Sequence, residues 1–299
     1  MQALVFEEYG GPEVLKLGEV PEPHAGPGQV RIAVRAASVN PFDWKLRAGY
    51  MAQFVPLEFP AIPGTDAAGV VDEVGEGVHG IQRGDAVFGL GARTSAESAV
   101  LDDVAVKPDL MSFEQAAALG LAVEAAARAL DRLDLPDGAT VLIDGATGGV
   151  GSAAAQLAVA RGLRVLGTSS PPNHEYLRSL GGTPTTYGPG LQDRVAALGI
   201  RVDAAIDLSG QSISELVAIT GDPGRVATLV DFSAAESGVV LVDTSRGRAT
   251  YALQEAADRF TRGRFTIAIQ QAYPLSRGAD AHRQSETGHV RGKLALTVP

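Results

Sequence analysis

Residues 140–151 read Thr-Val-Leu-Ile-Asp-Gly-Ala-Thr-Gly-Gly-Val-Gly, and an alanine-rich stretch beginning Ser152-Ala153-Ala154-Ala155-Gln156 follows. No other segment limits the fold as tightly. An apolar run of strand length stops at an acid, turns on glycines and opens a helix, which is the context a dinucleotide fingerprint requires. Glycine is needed there because a side chain would hold the backbone off a pyrophosphate and the helix off the sheet. The positive end of the helix and its unpaired amides then face the anion. Gly145, Thr147, Gly148, Gly149, Val150 and Gly151 are therefore the candidate cofactor contacts. Glycines that only make a tight turn are the alternative, and the strand that follows at 164–168 weighs against it.

Around this turn strand and helix patterns alternate. Strands are predicted at 140–144, 164–168, 204–208 and 225–230, with helices at 150–160, 175–180, 191–198 and 212–219. Alternation of this kind implies a parallel sheet with helices on both faces. The preceding hundred or so residues read differently, as short strands at 29–36, 67–74 and 85–90 between glycines and prolines, with almost no helical pattern. The texture changes at Ser112-Phe113-Glu114-Gln115, which has capping-box spacing and leads into an alanine-rich helix to residue 133. The tail carries a helix at 254–260, a strand at 265–269, a helix at 279–285 and a last strand at 293–298. The organisation predicted is α/β: a first domain over 1–115, a nucleotide-binding domain over 116–262, and a return to the first domain over 263–299.

With 299 residues the chain is long enough for two domains at roughly 150 residues each. A net charge of −10 would repel a phosphate backbone, so nucleic acid is not an expected partner. The absence of cysteine rules out disulfides and thiolate metal sites and leans towards a cytoplasmic location. The first residues run straight into a strand pattern with no export signal, and no apolar run approaches membrane-spanning length.

Cofactor choice is read at the end of the strand after the turn, where an NAD enzyme usually carries an acid for the ribose hydroxyls. Here Thr168-Ser169-Ser170 stand in that place. Hydroxyls can donate to a 2′-phosphate that a carboxylate would repel, so NADP is favoured over NAD. His174 is either a further contact to that phosphate or a surface histidine.

Six separated segments, in order, resemble the zinc-independent quinone oxidoreductase branch of the medium-chain dehydrogenase/reductase superfamily. They are Tyr9-Gly10-Gly11-Pro12-Glu13-Val14-Leu15, Val39-Asn40-Pro41-Phe42-Asp43-Trp44-Lys45, Pro63-Gly64-Thr65-Asp66-Ala67-Ala68-Gly69, the glycine-punctuated residues 74–89, the nucleotide turn, and Ala281-His282-Arg283. The resemblance implies a discontinuous GroES-like β-barrel domain around a Rossmann domain. It further implies an active site in the cleft between the two, and a homodimer formed through the nucleotide-binding domains.

Zinc-dependent members of the superfamily place a cysteine at the position of Asn40, and a histidine followed by glutamate in the segment of Thr65 and Asp66. Neither ligand is present, so no metal is expected. The chemistry the resemblance leaves is hydride delivery from NADPH to a small-molecule substrate, a quinone or another α,β-unsaturated carbonyl. Asn40 is implied as the polar group beside nicotinamide and substrate, and Tyr50 is either a hydrogen-bonding or proton-donating residue or a packed rim tyrosine. Asp43 and Asp66 either order the loops around the site or are structural turn residues, the second reading being preferred for Asp66. Trp44 is a site wall or a packing residue, and Lys45 and Lys293 are read as exposed lysines before cofactor ligands. By the same resemblance Tyr187 stands near the 2′-phosphate, or else packs at a short strand end; Ser209 and Gly210 lie at the carboxyl edge of the sheet, where Ser-Gly is also an ordinary turn; and 230–232 and 242–244 line the nicotinamide pocket.

The chain departs from the pattern twice. Ser95-Ala96-Glu97-Ser98 replaces an aromatic-rich segment, and Ala125-Ala126, preceded by Glu124, replaces a Thr-Ala pair. Two alternatives therefore stand beside quinone or enone reduction: a biosynthetic enoyl-thioester reductase, and a catalytically idle NADPH-binding sensor or structural protein.

Overall fold

The computed structural model describes residues 1–299, which divide into two compact units, 1–121 with 253–299 and 122–252. The divisions fall inside the long helix after Ser112 and the helix after Thr250.

In the first unit, β1 (Gln2–Val5) pairs antiparallel with β2 (Lys16–Glu19). The strand β3 (Val30–Val39) is followed by the short helix α1 (Pro41–Arg47), then β4 (Asp66–Val74), β5 (Ala86–Gly91) and β6 (Ser98–Val106). The three strands predicted here form, each within a few residues of its expected bounds. Antiparallel pairing runs β3 to β4 to β5 to β6, and β6 returns to the first half of β3, so the sheet closes on itself. The helix α1 is a local consequence of Asn-Pro-x-Asp. Proline at the first helical position is pre-set for the helix, and the Asp43 carboxylate accepts the Asn40 backbone N–H at 2.8 Å. The helix α2 (Phe113–Leu133) then opens on the expected capping box. The Ser112 hydroxyl accepts the Gln115 N–H at 3.2 Å, and the Gln115 side chain accepts the Ser112 N–H at 3.1 Å.

The second unit holds β7 (Thr140–Asp144), α3 (Gly149–Ala160), β8 (Arg164–Thr168), α4 (His174–Ser179), β9 (Gly182–Thr185), α5 (Leu191–Ala197), β10 (Ala204–Asp207), α6 (Ile213–Thr220), β11 (Val226–Thr228) and β12 (Val240–Leu241). All six strands run parallel in the order β12-β11-β10-β7-β8-β9. Leu142, Leu166, Leu191, Val195, Leu216 and Val226 lie in one buried cluster. The catch of this order is the reversal between β7 and β10, from which the chain winds outward on either side.

From Leu253, within α7 (Tyr251–Thr261), the chain belongs again to the first unit, which it completes with β13 (Ile269–Pro274), α8 (Gly278–Glu286) and β14 (Lys293–Thr297). As expected, the last two strands add to the first sheet: β14 pairs antiparallel with the second half of β3, and β13 pairs parallel with β14. The strand predicted at 265–269 begins instead at Ile269. Phe265 and Ile267 are buried, which gives the alternating pattern, but the backbone ladder forms only over the mostly exposed residues that follow. No helix is long and apolar enough to cross a membrane.

Candidate active site

The glycine turn lies at the carboxyl end of β7, at the point where the strand order reverses. Open α/β sheets bind ligands at such switch points. Gly151 cannot be replaced without movement, because a Cβ there would lie 2.1 Å from the Gly145 carbonyl oxygen. Gly148 is different. It is extended (φ −74°, ψ −179°) and its Cβ would meet nothing nearer than 3.6 Å, so the face it presents is open. No side chain caps this N-terminus of α3 and no acid sits in its first turn, which leaves the first amides available to an anion.

A row of hydroxyls and carboxylates braces the turn across the strand ends. Thr168 donates to Asp144 at 2.5 Å and accepts the Gly145 N–H at 2.9 Å, and Ser209 donates to the other Asp144 oxygen at 2.5 Å. Asp207 accepts from the Gly210 N–H at 2.8 Å and from Thr228 at 2.7 Å. Thr168 is fully buried and its hydroxyl is spent on this network, so it holds the turn in shape. Ser169 is also buried, yet its hydroxyl has no hydrogen-bond partner among the protein atoms, and neither has Nε2 of His174. Ser170 is half-buried, Tyr187 is exposed, and the carboxylates nearest in sequence are not at the strand end: Glu175 pairs with Arg178. Thr147 is buried within the turn, whereas Gly149 and Val150 are half-buried at its surface. A dinucleotide fits this set: an open glycine and free amides at the switch point, with hydroxyls and no carboxylate at the end of β8.

The first unit carries a separate polar knot. Asn40, at the end of β3, gives its amide hydrogens to Asp66 (2.8 Å), Thr65 (3.0 Å) and Ser38 (3.2 Å), and its amide oxygen accepts from Lys293 on β14. Asp66 accepts from Ser38 and Asn40 on one oxygen and from the Leu121 N–H, at 2.8 Å, on the other. Asp43, on α1, accepts the Asn40 N–H at 2.8 Å and a longer bond from Thr65 at 3.4 Å. Burial pushes the Asp43 carboxyl up to about 7, with the neighbouring Asp66 charge acting in the same direction and Lys293 against it. No group of three or more His, Cys, Asp or Glu side chains comes together in the chain as a metal site.

Lys293 is buried and bonded to Asn40, in contrast to the exposed lysine its residue type predicts. Lys45 lies at the surface of α1, its ammonium 5.9 Å from the Trp44 ring centroid. Trp44 in turn meets Tyr50 edge to face at 6.0 Å, and Tyr50 is 70% exposed. Of the segments expected to line the nicotinamide pocket, Val242 is buried and its carbonyl accepts from Arg128, while Phe232 is exposed.

Both departures from the pattern have structural accounts. Ser95 and Ala96 are buried against β1, where the Ser95 carbonyl accepts the Leu4 N–H at 2.9 Å. Glu124 forms a two-point ion pair with Arg128, at 2.8 and 3.1 Å, and also accepts the Ala249 N–H at 3.1 Å.

Comparison with known proteins agrees with this architecture. Residues 26–118 match the alcohol dehydrogenase GroES-like domain, and residues 189–296 match a family described as zinc-binding dehydrogenase. The chain is 33% identical to the chloroplastic NADPH-dependent alkenal/one oxidoreductase of Arabidopsis thaliana, over 99% of this chain and 79% of that protein. It is 31% identical to the quinone oxidoreductase of Mus musculus, over 100% of this chain and 98% of that one. Among solved structures, the quinone oxidoreductase of Coxiella burnetii superposes with a TM-score of 0.86 at 32% identity, covering 100% of this chain and 99% of that one.

Proposed function

The chain belongs to the quinone oxidoreductase branch of the medium-chain dehydrogenase/reductase superfamily, and on that premise we propose that it uses NADPH to reduce quinones and other α,β-unsaturated carbonyls. The observation that carries this reading is the open, uncapped glycine turn at the strand-order reversal, with hydroxyls and no carboxylate at the end of β8. NADPH, when bound, supplies the hydride. The protein's part is to hold it and to manage charge at the substrate oxygen.

Gly149 and Val150 would meet the pyrophosphate through backbone amides and Gly148 would offer it a face without a side chain, its own N–H donating to the Gly145 carbonyl at 3.2 Å, while Gly145, Thr147 and Gly151 keep the turn compact. Ser169, Ser170, His174 and Tyr187 would meet the 2′-phosphate. Ser209 and Gly210 would bound the same site at the end of β10, and Thr168 would act by bracing it. In the first unit Asn40 belongs to the catalytic machinery as the residue that ties Thr65, Asp66 and Lys293 together, since its amide has no hydrogen left to give. Tyr50 contributes an open hydroxyl. The reading includes a cytoplasmic homodimer joined through the nucleotide-binding domains, supported by the resemblance and by the unpaired edge of β12. Sedimentation tests the dimer.

For the activity itself, the protein is mixed with NADPH and a panel of quinones, enones and enoyl thioesters while nicotinamide absorbance is followed. Turnover of quinones or free enones is expected. Turnover of thioesters alone, or tight NADPH binding with no turnover, contradicts the proposal.

A further inference from the structure

Six side chains make the knot on β3, α1, β4 and β14, and five of them are sealed. Ser38, Asn40, Asp43, Asp66 and Lys293 are each no more than 5% exposed. Thr65 alone is partly open. Its position is fixed by the backbone on both sides: Gly91 donates to the Thr65 carbonyl at 3.1 Å, and Gly64 has φ +107°, a conformation that favours glycine. A Cβ on Gly64 would also lie 2.4 Å from the Thr94 hydroxyl.

The bonding within the knot decides what the Thr65 hydroxyl can do. Lys293 takes the amide oxygen of Asn40, which turns the amide nitrogen towards Thr65 and makes the Thr65 oxygen an acceptor at 3.0 Å. The single hydroxyl proton is then left for one of two directions. Inward lies Asp43 at 3.4 Å; the partial exposure of the residue leaves an outward direction as the alternative. Asp66 cannot serve as the proton source, because three donors already hold it as an acceptor. Asp43 has one short bond from the Asn40 N–H and no cation in contact.

We propose that Thr65 is the catalytic residue of this knot, its hydroxyl donating to the substrate carbonyl oxygen and handing over its proton, which the Asp43 carboxyl behind it replaces. The assignment rests on the reading that the protein reduces unsaturated carbonyls with NADPH. For an enone, the hydride pair forms the new C–H bond at the β-carbon and the double-bond electrons move to the carbonyl oxygen. The Thr65 O–H breaks as the enol O–H forms, the Asp43 O–H breaks as the Thr65 O–H re-forms, and after product leaves the Thr65 hydroxyl passes its proton back to the Asp43 carboxylate as it takes one from solvent. The charged groups facing Asp43 are Asp66 on β4, which favours its protonated form, and Lys293 on β14, which opposes it.

The test compares wild type with Thr65→Val, Thr65→Ser and Asp43→Asn. Steady-state rates with a quinone and an enone are joined to a measurement that needs no turnover, the absorbance titration of NADP⁺-loaded protein with 4-nitrophenolate as an enolate mimic. Thr65→Val is expected to lower kcat by roughly 100-fold with KM little changed. It should weaken the phenolate by about 10-fold, the loss of one bond to a charged oxygen, and leave NADPH affinity unchanged. Thr65→Ser should recover most of the lost rate. In wild type kcat should fall as pH rises above about 7, and Asp43→Asn should remove that fall. A Thr65→Val protein equal to wild type in rate and phenolate affinity, or a Thr65→Ser protein as poor as Thr65→Val, overturns the assignment. A wild type inactive on every quinone and enone refutes instead the functional reading beneath it.

Discussion

Gly148→Ala should weaken NADPH without weakening the fold. The backbone at Gly148 is extended and the new methyl would stand 3.6 Å from its nearest neighbour, so nothing in the protein resists it. Glycine to alanine at a compatible position stabilises by roughly 0.4–1 kcal/mol, through the unfolded chain. The methyl would occupy the face on which the pyrophosphate is proposed to rest. Pushing a phosphate off one amide costs about 1.5–3 kcal/mol for the bond to a charged group, which is roughly a 10- to 150-fold rise in Kd. Gly151→Ala is the control with the opposite signature. Its Cβ would begin 2.1 Å from the Gly145 oxygen and must open by about 0.9 Å to reach the 3.0 Å of real contacts. Overpacking of that kind costs roughly 1–3 kcal/mol, visible as a lower Tm without any ligand. The assays are fluorescence titration with NADPH and thermal unfolding of the apo protein. An unchanged NADPH Kd in Gly148→Ala, or a drop in its Tm as large as that of Gly151→Ala, refutes the placement of the cofactor on this turn.

Other outcomes follow from the same contacts. NADPH should bind more tightly than NADH, and Ser169→Ala should narrow the difference; equal dissociation constants in wild type contradict the hydroxyl argument. Glu124→Gln should lower stability by about 3–5 kcal/mol, because Arg128 would be left buried without its counter-charge; denaturant unfolding of the second unit measures it. Burial, with Arg47 nearby, holds His282 down to about 3, so its contribution is present above the unfolded value near 6.5 and is lost as pH falls towards 3. Asp43, raised to about 7, acts in the opposite sense: its contribution is full below the unfolded value near 4 and is lost as pH rises through 7. Replacing His282 with phenylalanine should therefore flatten acid unfolding, whereas Asp43→Asn should steepen it between pH 7 and 4.

The nucleotide-binding half was the more legible part of the chain, because each local rule there agrees with the next. Apolar β7 must be buried on both faces, the glycines must turn, and the helix must begin where they end. The GroES-like half was legible by resemblance more than by pattern. Strand β13 was displaced because an edge strand with only Tyr273 buried shows no alternation, while the buried Phe265 and Ile267 just before it do. The helix α1 is too short for a helical period, although Asn40-Pro41 followed by Asp43 carried its capping signal. Lys293 was misjudged for a general reason: lysine is ordinarily exposed, and only the pairing of β14 with β3 brings its ammonium to the Asn40 amide, 253 residues away in the chain. In the sequence Thr65 is marked only by the absence of a metal ligand at its position. Its exposure relative to five sealed neighbours is a property of the folded knot and has no sequence signal.

The most direct test of hydride delivery uses NADPH carrying deuterium at the transferable position of the nicotinamide, with an enone and a quinone as acceptors. One deuterium should appear in the enone product at the β-carbon, with NADP⁺ formed in equal amount and no requirement for added metal. A reduced product without deuterium from the cofactor, or NADPH that remains unconsumed with every acceptor, would contradict the proposed function.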